Sequence, residues 1–172
     1  QSMTEINVKN FKPSNLLDMS NAFKNCKKIE SLDLRNLITD KVTNMAGLFE
    51  GCVNLEELEI NFNTENVKNM SHMFDNCNSL YQLDVSHFNT DKVTDLSYMF
   101  KDCSRLNSID VSKFNTKEVV DMSFMFDNCN RISSLVLNNF VTSKVKSMES
   151  MFRYDVALTS LDVSKFDTSQ ES

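Results

Sequence analysis

The strongest constraint on the fold is an internal repeat marked by five evenly spaced cysteines. Cys26, Cys52, Cys77, Cys103 and Cys129 follow one another at intervals of 26, 25, 26 and 26 residues. Disulfide frameworks and zinc sites favour irregular spacings or local pairs such as C-x-x-C, so even spacing indicates repetition. The sequence predicts a single domain over residues 1–172, built from six to seven units of about 26 residues.

Each unit combines two periodicities. Residues 83–85 alternate apolar, polar and apolar, which is typical of a short strand with one buried face. The second half of the unit has apolar residues at i, i+3, i+4 and i+7, as in Met122, Met125, Phe126 and Cys129. That stripe predicts a helix of two turns. We therefore expect a parallel sheet on one face of the domain and short helices on the other.

Nine positions of each unit are almost always apolar and are predicted to form the core. In the fourth unit they are Leu80, Leu83, Val85, Phe88, Val93, Leu96, Met99, Phe100 and Cys103. The residues expected to cap the helices are Asp18, Asn44, Asn69, Asp95, Asp121 and Ser147. The residues expected to end them in the left-handed conformation are Asn25, Gly51, Asn76, Asp102 and Asn128.

The repeat resembles a known family. The fourth unit reads LYQLDVSHFNTDKVTDLSYMFKDC and the fifth reads LNSIDVSKFNTKEVVDMSFMFDNC. This pattern is similar to the BspA-type leucine-rich repeats of bacterial surface proteins, in the variant found in mycoplasma surface lipoproteins and Gram-positive wall proteins. The resemblance implies an α/β solenoid of leucine-rich-repeat type and an adhesive or host-interaction role at the cell surface or after secretion. It implies no shared ligand and no catalytic residues.

Composition and motifs argue against several functions. A net charge of −6 disfavours nucleic acid, whose binding depends on Lys and Arg. No apolar run approaches the roughly 20 residues that span a bilayer, so direct membrane insertion is not expected. The sequence contains no catalytic motif, and its two histidines fall on different parts of the unit, so we expect neither an enzyme, a metal site nor a cofactor. The cysteine column is interpreted as a buried filler, and the threonine column as a ladder of turn hydrogen bonds.

Two outward rows are candidate binding sites, and the strand-face row is the first choice because its residues occupy the middle units, where the sheet is flanked on both sides. The first is a row of acidic and polar side chains on the strand face, predicted to be concave, with Glu59, Gln82, Asp84, Ser86, Asp110 and Ser112 as its central members. The second is an exposed aromatic row of His72, Tyr98 and Phe124 on the opposite side. A solvated face without a ligand remains the alternative for both. Binding through the acids should weaken with salt, and binding through the aromatic rings should not.

These observations predict a non-enzymatic surface module, cut from a larger surface protein, that binds a host or matrix protein or a glycan. The alternative is a structural spacer that has no ligand of its own. Self-association through the ends of the repeat stack is a further possibility, because terminal repeats leave one side uncovered.

Overall fold

The computed structural model describes residues 13 and 15–170. Its strands are β1 (Ser31–Asp33) and β2 (Glu57–Glu59), which pair in parallel with Leu32 opposite Leu58. No helix occurs among these residues. The predicted α/β solenoid of leucine-rich-repeat type, with helices on one face, is therefore wrong, and residues 83–85 do not form the predicted strand.

The repeats are instead stacked coils, joined through the second half of each repeat. We call this half the turn segment; the six turn segments are residues 18–26, 44–52, 69–77, 95–103, 121–129 and 147–155. Four backbone hydrogen bonds join each turn segment to the next. In segment 95–103 the amides of Leu96, Tyr98, Phe100 and Asp102 donate to carbonyl groups of the following segment at 2.8–3.0 Å.

Two residues with positive φ prevent each turn segment from being a helix. In segment 95–103 they are Tyr98 (φ 60°) and Asp102 (φ 57°), whereas an α-helix needs φ near −63° throughout. Each is the third residue of a turn closed by an i→i+3 hydrogen bond, as type II turns require. Alternate amides therefore point along the stack, and the apolar residues keep a helix-like spacing without a helix. An isolated two-turn helix would be marginal in any case.

The predicted capping residues accept the hydrogen bond expected of them, although no helix follows. Asp95 Oδ1 accepts hydrogen bonds from Ser97 N at 2.9 Å and from Ser97 Oγ at 2.6 Å, and Asn69 does the same for Ser71. The left-handed conformation predicted before each cysteine is confirmed, with φ of 57–73° at Asn25, Gly51, Asn76, Asp102 and Asn128. Asn and Asp therefore occupy the positive-φ turn positions that glycine occupies in most proteins.

The predicted apolar columns form the core. All nine core positions of the fourth unit are at most 8% exposed. One phenylalanine from each turn segment stacks on the next, with ring centroids 5.5–6.0 Å apart, through Phe23, Phe49, Phe74, Phe100, Phe126 and Phe152. Because each of the four inner rings packs against both neighbouring coils, the stability of one repeat depends on the next.

The cysteine column lies beside the phenylalanine stack. All five thiols are free; Cys26 is partly buried and the other four are buried. The thiols of Cys52, Cys77, Cys103 and Cys129 each donate to the carbonyl oxygen of a phenylalanine one coil earlier, at 3.0–3.3 Å. Burial raises the pKa of Cys52 to about 12, so that thiol stays a protonated donor at neutral pH. The column thus fills space, as predicted, and also satisfies core carbonyl groups.

The threonine column forms the predicted hydrogen-bond ladder. Thr116 Oγ1 donates to the carbonyl of Val141 at 2.9 Å and accepts from its amide at 2.7 Å. Thr64, Thr90 and Thr142 make the same pair of bonds with the coil that follows each of them. All four threonines are at most 2% exposed, so the ladder satisfies backbone groups that water does not reach.

Asp155 occupies the cysteine position in the last turn segment. Its environment predicts that the stability of the protein depends on pH. Its Oδ1 accepts from Cys129 N at 2.8 Å, but its Oδ2 is buried without a hydrogen-bond partner among the described residues. Burial, with a smaller contribution from nearby Asp127, raises the pKa of Asp155 to about 7. The folded protein therefore holds a proton that the unfolded chain releases, and stability should fall as the pH rises from about 4 to about 7.

The substitution Asp155→Asn should remove this loss of stability at higher pH. Because the amide carries no charge, the variant should be more stable than wild type by about 1–3 kcal/mol above neutral pH, with the difference vanishing below about pH 4. This is less than the full value of the pKa difference, because Asp155 is only partly buried. Urea denaturation at both ends of this pH range measures it. A stability difference that does not change with pH would contradict the buried, partly protonated carboxyl group.

Candidate binding surfaces

The coils are bonded more tightly on the side of the turn segments than on the strand side. Parallel bridges join the first residues of all six turn segments, from Asp18↔Asn44 to Asp121↔Ser147. On the strand side, the described residues show one ladder, between β1 and β2, and one further bridge, Ser134↔Ser160. In a stack with a concave strand face, neighbouring coils lie closer together on the strand side than on the opposite side. This arrangement gives the predicted concavity no support.

The carboxylates of the predicted acidic row have local structural partners. Asp84 Oδ1 accepts from the amide of Ser86 at 2.9 Å and from its hydroxyl at 2.7 Å, and Asp110 Oδ1 accepts from Ser112 N at 2.9 Å. The hydrogen bonds from Ser86 and Ser112 lower the pKa of the two aspartates below its usual value. These aspartates therefore stabilise the turn after the strand position, whether or not they bind anything. The row is interrupted at Val136, whose side chain is exposed in place of an acid.

Only some of the predicted strand-face residues lie around one depression. A groove of about 320 Å³ separates residues 56–59 from residues 81–84 and is lined by Glu59, Gln82 and Asp84. Asp110 and Ser112 belong to the next coil and do not line it. Arg35 lies 4.0 Å from Glu59 and partly neutralises this end of the row. The groove is polar and shallow, and its acids alone do not define a ligand.

The predicted aromatic row is a continuous stack of rings. We call His72, Tyr98 and Phe124 the aromatic ridge; their ring centroids are 4.4 and 4.7 Å apart and the rings are nearly parallel. All three side chains are partly exposed. At one end of the ridge, the Arg153 guanidinium lies 5.2 Å from the Phe124 ring centroid. Tyr98 lies between two rings, and Phe124 lies between Tyr98 and Arg153, so these two residues present mainly ring edges to solvent.

The backbone beneath the ridge is unfavourable for these residues. His72, Tyr98 and Phe124 have φ of 56°, 60° and 56°, in the left-handed region that bulky side chains rarely adopt. The first two coils place Asn21 and Gly47 at the same position, and these residue types fit that conformation. The cost is roughly 1–2 kcal/mol per residue, while each ring–ring contact returns about 0.5–1.5 kcal/mol. The positive φ therefore offsets much of the stability that the stacked rings contribute.

Two charged residues beside the ridge were missed by the sequence analysis. Arg153 lies beside Phe124 and donates to both carboxylate oxygens of Asp127, with Nε–Oδ1 and Nη2–Oδ2 distances of 3.0 and 2.8 Å. Glu149 is exposed and occupies the position held by serine in the three preceding turn segments. That departure from the repeat pattern is the signal that could have identified Glu149. Arg153 has no comparable signal, because its position varies between repeats.

The described part of the chain shows neither a metal-site candidate nor a membrane-spanning helix. It contains no group of three or more His, Cys, Asp or Glu side chains placed to hold a metal ion. It also contains no helix that is long and apolar enough to cross a membrane.

The chain is thus a repeat protein of stacked coils with two candidate surfaces among its described residues. It belongs to the family described as Mycoplasma protein of unknown function, DUF285, which matches residues 17–134 and again residues 94–172. This membership supports the predicted link to a mycoplasma repeat family, but not the BspA-type leucine-rich repeat in particular. No curated protein and no solved structure matches the chain.

Proposed function

We propose that this chain is a non-enzymatic binding module of a cell-surface or secreted protein and that it recognises a host or matrix protein through the aromatic ridge. The similarity of its repeats to those of BspA-type surface proteins supports the surface location and the adhesive role. The leucine-rich-repeat fold is not part of the proposal, because the turn segments are not helices.

The aromatic ridge is the observation that carries the proposal. His72, Tyr98 and Phe124 form a contiguous, partly exposed apolar surface on a backbone that suits asparagine or glycine better. Backbone strain of this kind persists where the surrounding structure enforces it and is concentrated at functional sites. Tyr98 and Phe124 also favour a protein over a glycan, since a sugar ring that stacks on an aromatic residue needs a free ring face and both faces of these rings are covered.

The proposal is tested with paired surface variants. Tyr98→Asn combined with Phe124→Asn removes two rings and places a residue that tolerates positive φ, so its unfolding free energy should stay within about 1 kcal/mol of wild type. Asp84→Asn combined with Asp110→Asn keeps the oxygen that accepts from the following amide and is the control. Surface plasmon resonance over immobilised fibronectin, laminin and collagen measures binding.

We expect the ridge variant to weaken binding to the recognised matrix protein by about tenfold or more, and the control to bind as wild type does. Binding lost only in the strand-face variant would move the site to the acidic row. The absence of binding to any matrix protein would favour the second candidate function, a spacer. The uninterrupted ladder of hydrogen bonds between all six turn segments favours that alternative, because it gives a stiff, fully bonded stack.

A further inference from the structure

The aromatic ridge lies among more carboxylates than cations. Burial raises the pKa of the Tyr98 phenol above its usual value, and the negative charges of Glu149 and Asp121 raise it further. Asp75 acts in the same direction, and Lys101 opposes it. The middle ring of the ridge therefore lies in a locally negative field, in a chain whose net charge is −6.

The cations near the ridge are already paired, whereas one of the acids is not. The Lys101 ammonium donates to Asp102, and the Arg153 guanidinium is forked onto Asp127. Asp121 accepts from both the amide and the hydroxyl of Ser123. The Glu149 carboxylate has no ion-pair partner within residues 15–170, although it is exposed beside the ridge.

His72 and Asp75 form a further pair at the other end of the ridge. His72 Nδ1 lies 2.8 Å from Asp75 Oδ2, and the Asp75 side chain is only 13% exposed. Asp75 therefore adds to the negative field of the ridge but is already paired with His72. The exposed Glu149 is the carboxylate that a ligand following the ridge can reach.

Arg153 shows which chemistry this surface accommodates. Its guanidinium lies 5.2 Å from the Phe124 ring centroid and 5.0 Å from that of Tyr154, while its Nε and Nη2 donate to Asp127. Arginine combines a planar cation that stacks on aromatic rings with a fork of donors that matches a carboxylate. The same two features, aromatic carbon and carboxylate oxygen, continue along the ridge beyond Phe124.

We propose that the occupant of the aromatic ridge is a basic protein segment, whose arginine or lysine stems lie on the ring edges while a charged head pairs with Glu149. This inference rests on the proposed function and adds the chemistry of the partner. Long basic side chains bury their methylene groups on apolar surface and keep their charge at its rim. Binding here should weaken with salt, contrary to the expectation for the rings alone, because the flanking charges contribute.

Fluorescence anisotropy with labelled octa-arginine tests the inference, with octaglutamate as the peptide of opposite charge. Glu149→Gln removes one ridge carboxylate, and Glu59→Gln makes the same change on the strand face. We expect octa-arginine to bind wild type, Glu149→Gln to weaken binding about threefold and Glu59→Gln to have no effect. The Tyr98→Asn, Phe124→Asn variant should weaken binding about tenfold, because the stacked rings are lost.

Equal weakening by Glu149→Gln and Glu59→Gln would show non-specific attraction of a polycation and overturn the inference. Binding of octaglutamate, or no binding of octa-arginine, would overturn it as well. If a matrix protein binds through the ridge in the resonance experiment while octa-arginine does not, the charged partner is wrong and the proposed function stands. If the ridge variant leaves both kinds of binding unchanged, both proposals fail.

Discussion

Phe100→Ala is expected to lower the free energy of unfolding by about 3–5 kcal/mol, the usual cost of truncating a buried phenylalanine. Phe100 is fully buried, and its ring lies 5.8 Å from Phe74 and 5.6 Å from Phe126. The substitution opens a cavity in the middle of the phenylalanine stack and removes contacts with two coils at once. Urea denaturation followed by circular dichroism measures the loss.

Phe124→Ala is the matched control, because it makes the same substitution one coil later on the outward side. It should cost about 1 kcal/mol, the value of its ring contacts with Tyr98 and Arg153. Similar losses at Phe100 and Phe124 would contradict the inward and outward assignments. A Phe100→Ala protein as stable as wild type would mean that the ring does not belong to the core.

Thr116→Val is expected to cost about 2–4 kcal/mol, although it conserves the size and shape of the side chain. The Thr116 hydroxyl donates to the carbonyl of Val141 and accepts from its amide, at 2.9 and 2.7 Å, and the threonine is fully buried. Valine would leave a buried donor and a buried acceptor unpaired, and each costs about 1–3 kcal/mol. Chemical denaturation of the pure variant gives this value.

Thr94→Val provides the comparison at an exposed site. Thr94 Oγ1 donates to the carbonyl of Lys68 at 3.2 Å, and water can replace this bond. Its substitution should change stability by less than about 0.5 kcal/mol. Equal costs at Thr94 and Thr116 would show that the ladder between coils is not the source of the effect.

The sequence predicted the features that repeat every 26 residues more reliably than it predicted the local backbone conformation. The buried columns, the capping bonds, the left-handed residue before each cysteine and the threonine ladder all follow from residue type and spacing. The prediction of helices was wrong because two successive β-turns bury apolar residues at i, i+3, i+4 and i+7 as well as a helix does. Hydrogen bonds between coils then decide the conformation, and these bonds join residues 24 or 25 positions apart.

One signal against the helices was present in the sequence. Asn21 and Gly47 occupy the position that continues as His72, Tyr98 and Phe124, and both residue types favour positive φ. Read together with the Asn and Gly residues before the cysteines, they indicate two left-handed positions per turn segment. The aromatic residues conceal this pattern in the middle coils, where bulky side chains rarely take that conformation.

The partner of the Tyr98 amide tests most directly that the turn segments are bonded from coil to coil and hold the ridge residues at positive φ. In this structure the amide donates to the carbonyl of Ser123 in the next coil, at 2.9 Å. A helix over the same segment would direct it to the carbonyl of Thr94, four residues earlier. NMR scalar coupling across the hydrogen bond identifies the acceptor: coupling to Ser123 is the expected result, and coupling to Thr94 would contradict it.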